Sequence, residues 1–132
     1  MTVENTPFLR NTLLADAAMG AGAAALTILG SGFLARLLVL PDGLIFWAGV
    51  ALVPIALFLL VMARKTRIPR SWLRAIVLIN WAWVVASVTI LAFAPIEPNL
   101  LGTAFILAQA LAVAAFALLQ GMALSRSRAL AA

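Results

Sequence analysis

The sequence predicts an all-α polytopic membrane protein, four transmembrane helices in an up-down-up-down bundle with both termini cytoplasmic. Three observations carry that expectation. Of the 132 residues, 66% are hydrophobic and only 10% charged, at a mean hydropathy of +1.17; soluble domains hold about 45 to 50% apolar residues. The apolar residues gather into four runs, each near the roughly 20 helical residues that cross a hydrocarbon core of about 30 Å. The breaks between runs are short and marked by proline, glycine or charge, which makes consecutive helices antiparallel neighbours. Residues 1–132 therefore read as a single four-helix transmembrane domain without a convincing internal repeat.

The first span is expected over residues 7–32. Thr6 offers a capping hydroxyl, and Pro7 takes the first helical position, where its missing N–H does no harm. The span runs to Gly30-Ser31-Gly32. Residues 33–40, FLARLLVL, are too few to cross and carry Arg36, so they are expected as a short interfacial segment whose arginine snorkels to the headgroups. PDG at 41–43 turns the chain, and Asp42 is placed to cap the second span, 43–63. Pro54, near the middle of that span, frees a carbonyl one turn back and is expected to kink the axis. The loop RKTRIPR, 64–70, follows, and Pro69 separates it from the third span, 71–93. APIEPN at 94–99 holds two prolines and an asparagine cap for the fourth span, 99–124, leaving SRSRALAA as a polar tail expected to be mobile.

Charge orients these spans. Of nine basic residues, Arg64, Lys65, Arg67, Arg70 and Arg74 lie in or beside one loop. With Arg10, Arg126 and Arg128 they place eight basic residues on one side against Arg36 alone on the other, and Lys and Arg are retained on the cytoplasmic side. The expected location is the bacterial inner (cytoplasmic) membrane, multi-pass, N-in and C-in. The five loop cations are also expected to contact anionic lipid headgroups, each worth about 1 kcal/mol. A net charge of +5 would point to nucleic acid in a soluble chain, but too little chain lies outside the bilayer here for DNA or RNA to be an expected partner. Glu4 precedes Arg10, and the apolar stretch that follows is long, so a cleavable signal peptide is not expected.

Enzymatic chemistry fails on inventory. No cysteine and no histidine occur, which removes disulfides, thiolate clusters, the commonest metal ligand and the commonest general base. The four carboxylates, Glu4, Asp16, Asp42 and Glu97, are scattered along the chain, so neither a paired-carboxylate site nor an oxygen cage for a metal forms. The serines lack a histidine partner, and Lys65, the single lysine, sits in the basic loop. No catalytic residue, metal site or cofactor is expected, and the chain is not expected to be an enzyme.

What stands out is polarity inside the spans. At 100° per residue, Asp16, Gly20, Ala23, Thr27 and Ser31 lie within about 60° of one line, a face that must look at protein, because a charge turned to lipid costs a few kcal/mol or more. Ala17, Ala21 and Ala25 form a second close-packing line beside it, with Gly20 between. On the third span Asn80, Trp83 and Ser87 share a face, and the indole N–H of Trp83 needs an internal acceptor, with Asp16 or a backbone carbonyl in reach. The fourth span adds Gln109 near mid-membrane and Gln120 nearer its end. By depth, Asp16, Asn80 and Gln109 can meet in one polar cluster, with Trp83 and Ser87 beside it.

The pattern LRNTLLADA followed by small residues, then ALVPIALFLLVMAR, a basic loop, NWAWVVAS and AQALAVAAFALLQ, resembles small, uncharacterised four-helix inner-membrane proteins of bacteria. The likeness spans nearly the whole chain and implies fold and compartment alone. More loosely, four helices, this length and one carboxylate in the first helix are similar to small multidrug-resistance transporters, which implies export of cationic drugs. The surroundings of Asp16 depart from that family's first-helix motif, no tyrosine occurs, and the charge bias opposes antiparallel dual-topology dimers.

Two functions fit these residues. The first is a non-enzymatic accessory or interaction subunit, or a binder of a lipid-like ligand, in a homo-oligomer or a larger membrane complex, with Asp16, Asn80 and Gln109 as interhelical hydrogen-bond glue. The second is a small proton-coupled transporter or channel that uses Asp16 in a polar intramembrane cavity.

Overall fold

The computed structural model describes residues 1–131, with side chains described through Ser127. Strand β1 (Thr2–Glu4) is followed by helices α1 (Pro7–Leu29), α2 (Ser31–Leu38) and α3 (Asp42–Ala63), then strand β2 (Arg67–Pro69) and helices α4 (Arg70–Phe93) and α5 (Leu100–Ala131). Four of these helices, α1, α3, α4 and α5, are long and apolar enough to cross a membrane.

Local chemistry explains most boundaries. Thr6 keeps an extended backbone, and its Oγ1 accepts from Leu9 N at 3.3 Å while Pro7 opens α1. Asn99 does the same for α5, its Oδ1 accepting from Gly102 N at 2.7 Å. The first span is shorter than expected: α1 ends at Leu29, and Ser31 and Gly32 belong to α2 rather than to its last turn. The segment read as 33–40 is thus mostly a helix of its own, and it stops at Val39, which holds a left-handed φ of 56°, uncommon for a β-branched residue. Asp42 does not cap α3. Pro41 is the N-cap, and Asp42 lies inside the first turn, where its charge complements the helix dipole.

Two further differences concern the loop and the tail. Residues 64–70 are not an open loop: β2 within them pairs antiparallel with β1, Val3 opposite Ile68. Asn5 reinforces the pairing by donating from Nδ2 to Ala63 O (2.9 Å) and Lys65 O (2.7 Å). The fourth span runs past 124 to Ala131, because alanine, leucine and arginine are strong helix formers and neither proline nor glycine follows Gly121. Ser127 is held in place, its Oγ accepting from Arg70 Nη1 at 3.2 Å; Arg128 and the rest of the tail lie outside the described side chains.

Two apolar cores sit at opposite ends of the helices. One gathers Leu9 and Leu13 of α1, Leu59 and Met62 of α3, Leu73 and Ile76 of α4, and Val3 and Ile68 of the strand pair. The other gathers Leu34 and Leu38 of α2, Leu40, Ile45 of α3 and Ile106 of α5. Between them α1 packs along α3, α4 packs along α5, and the two pairs join where α1 meets α5. Glycine is required at two close approaches, since a Cβ on Gly49 would collide with Thr27 Oγ1 and one on Gly102 with the carbonyl of Leu38. Helices α3 and α4 do not pack along each other. Near the strand pair their side chains touch through Phe58 and Trp72, ring centroids 6.2 Å apart, and beyond that contact the space between them stays open.

Candidate functional site

That open space is a lateral groove whose floor is polar. Its larger chamber, about 340 Å³, is lined by Ile45, Ala48 and Leu52 of α3, Ile90 of α4 and Phe105 and Ile106 of α5. A smaller chamber of about 60 Å³ lies toward the strand-pair end, bounded by Asp16, Gly20, Asn80 and Leu59 among others. Ala23, Leu52, Trp83 and Gln109 line both, so the two chambers are neighbours along one groove.

The polar side chains of the spans fall into two networks rather than the one expected cluster. In the first, Asn80 Nδ2 donates to Asp16 Oδ2 at 3.0 Å and to Gln120 Oε1 at 2.8 Å, while Gln120 Nε2 donates to the same Asp16 Oδ2 at 2.8 Å. The triangle ties α1, α4 and α5 together, and it is buried, with Asp16 7%, Asn80 4% and Gln120 0% exposed. Burial without partners would cost several kcal/mol per charge; here both amide nitrogens point at the carboxylate. Among the described residues no lysine or arginine is bonded to Asp16.

In the second network, Trp83 Nε1 donates to Gln109 Oε1 at 2.8 Å, Gln109 Nε2 donates to Ser87 Oγ at 3.0 Å and Ile106 O at 2.8 Å, and Ser87 Oγ donates to Trp83 O at 2.8 Å. It pins α4 to α5 on the groove floor. The acceptor of Trp83 is therefore Gln109, not Asp16 or a backbone carbonyl, and Gln109 does not join Asp16.

Gln120 is the residue that sequence reasoning left out of the cluster, and the cause is the misplaced end of α5. With a helix ending at 124, Gln120 lies about 6 Å from that end, whereas with an end at Ala131 it lies about 16 Å deep, close to the depth of about 14 Å for Asp16 in α1. The signal was the continued helix propensity of the tail.

Of the other candidates only Gly20 borders the groove, at the smaller chamber. Ala17 is buried and Gly20 faces Ala56 of α3, but Ala21 and Ala25 are exposed, so the packing line is used within this chain only at its first turn. Pro54 is exposed and lines neither chamber. In the basic segment Arg64, Arg67 and Arg74 are exposed. Arg67 Nε also donates to Thr2 Oγ1 at 2.8 Å, Arg70 holds Met1 O and Ser127, and Lys65 Nζ stands 5.8 Å from the ring centroid of Trp72. These three serve the chain's own fold as well as its surface. Among the described residues no three His, Cys, Asp or Glu side chains gather as a metal site.

Compared with family models, curated proteins and solved structures, the chain matches none.

Proposed function

We propose that this chain is a non-enzymatic integral protein of the bacterial inner membrane, an accessory subunit that holds a lipid-like molecule in the groove between α3 and α4. The observation that carries the proposal is the larger chamber. At about 340 Å³ it falls within the roughly 300 to 1,000 Å³ of small-molecule sites. Its walls are apolar, and the Trp83–Gln109–Ser87 network beneath satisfies its own donors, so an apolar chain can lie there without stranding a polar group. The opening faces sideways between two spans, where the neighbouring medium is hydrocarbon.

The membrane arrangement is part of the same proposal: up-down-up-down spans with both termini in the cytoplasm. The strand pair brings residues 2–4 beside the basic segment, and Ser127 of α5 beside Arg70, so Arg10, the five cations of the basic segment and Arg126 belong to one end, as retention of cations on the cytoplasmic side requires. The exposed Ala21 and Ala25 leave a smooth face on α1 for a second copy or a larger complex. The cysteine-free chain makes orientation easy to test: Glu97→Cys is expected to react with an impermeant maleimide added outside intact cells, and Thr66→Cys is not.

A photo-activatable long-chain alcohol with a diazirine in its tail tests the groove. In lipid nanodiscs, labelling is expected at Leu52, Ile90 and Phe105 above Leu57 and Val85, which face outward. Labelling that follows outward exposure alone would contradict the proposal.

The small chamber that reaches Asp16 supports a second possibility, proton-coupled movement of a small solute. It predicts flux in liposomes driven by a pH step and abolished by Asp16→Asn, whereas a binding subunit shows none.

A further inference from the structure

The smaller chamber extends the groove past the second network to the first, and the two networks differ in what they leave open. Around Gln109 every donor is used and Trp83 is satisfied. At the Asp16 end Asn80 Nδ2 spends both hydrogens, on Asp16 Oδ2 and on Gln120 Oε1, Gln120 Nε2 donates once, to Asp16 Oδ2, and neither Asp16 Oδ1 nor Asn80 Oδ1 accepts a bond from a described residue. Both side chains line the chamber. Acceptor oxygens at one end of an otherwise apolar groove suit a ligand that brings donors.

We infer that the groove takes a single-chain amphiphile whose compact, hydrogen-bond-donating head, a primary amine or a hydroxyl, enters the chamber at Asp16 and Asn80 while its tail lies in the larger chamber against Leu52 and Ile90. This rests on the lipid-like ligand proposed above and names its head group. The size of the chamber, about 60 Å³, is room for a few water-sized groups and excludes a sugar. A phosphate is excluded by chemistry, since its oxygens would face two acceptor oxygens in a low-dielectric site. Ala23 and Leu52, shared by both chambers, are the neck through which head and tail connect.

The test uses tail-brominated probes and the native tryptophans, with Trp83 at the neck and Trp47 on the wall of the larger chamber. Protein in nanodiscs is titrated with dibromododecylamine, dibromododecanol, dibromododecyl phosphate and the headless dibromododecane, and quenching is followed to saturation. The amine and the alcohol are expected to bind at least about tenfold more tightly than the phosphate and the headless chain, the size of one good hydrogen bond to a charged or buried partner. A lead of the amine over the alcohol marks an ionised Asp16, and equality marks a neutral one; either supports the head assignment. Asp16→Asn, which keeps the shape of the triangle, is expected to lower affinity for the amine to that of the headless chain. Ala23→Leu, remote from the triangle's hydrogen bonds, is expected to erase the head preference by closing the neck.

Saturable quenching by all four probes with equal affinity, unchanged in Asp16→Asn and Ala23→Leu, would overturn the head assignment and leave the apolar groove standing. Quenching no greater than that of free lipid for every probe would overturn both.

Discussion

The two polar networks lie in one bundle yet behave oppositely. Trp83, Gln109 and Ser87 are only half-buried, beside the groove, and they satisfy one another; Asp16, Asn80 and Gln120 are almost fully buried and leave acceptor oxygens toward a cavity. The first arrangement is what a structural clasp between two helices needs, since a lone buried donor costs more than a neutral pair gains. The second joins three helices through a carboxylate with no cationic partner among the described residues, which a clasp does not need. On the function proposed above, the difference puts recognition at Asp16 and scaffolding at Gln109.

Substitutions can break that contrast. Gln120→Leu removes a partner of Asp16 Oδ2 and of Asn80 Nδ2 at a fully buried point, and is expected to cost about 1–2 kcal/mol in reversible unfolding by sodium dodecyl sulfate titration. Gln109→Leu is expected to cost less, about 1 kcal/mol, because its network is only half-buried; a shift of indole emission without a larger loss of stability would mark it. Asp16→Asn should fall near 0.6 kcal/mol in the same titration, since an amide oxygen at that position still accepts from both neighbours. Ser87→Ala should be the mildest, about 0.5 kcal/mol, as its hydroxyl bonds are half-buried. If Gln109→Leu proved as costly as Gln120→Leu and Asp16→Asn abolished folding, the two networks would be one structural unit and the contrast would fail.

Much of the fold was legible, because the physics behind it is local. Thr6-Pro7 and Asn99 announce helix starts through side-chain caps, and four runs of the right length announce spans. Boundaries that depend on partners were not. Nothing in TVE or RIP predicts a strand until the two meet across Val3 and Ile68, and Asp42 lost its capping role because Pro41 already sets the entry to α3. For the site, Asp16 and Asn80 were legible as polar groups that must face protein, and Trp83 as an indole in need of an acceptor. Gln109 and Gln120 exchanged roles because side-chain depth is counted from helix ends, and the end of α5 lies seven residues later than the polarity of its tail suggested. The groove itself could not be read from sequence, since short connections predict that consecutive helices pack, and α3 and α4 do not.

The central claim, that this groove holds a lipid-like molecule, is tested most directly by native mass spectrometry of the protein released from nanodiscs. The wild-type chain is expected to carry a single retained adduct of lipid mass, and Ala48→Trp, which fills the larger chamber from α3, is expected to carry none while unfolding at the same detergent concentration. Adducts retained equally by both proteins, or by neither, would contradict it.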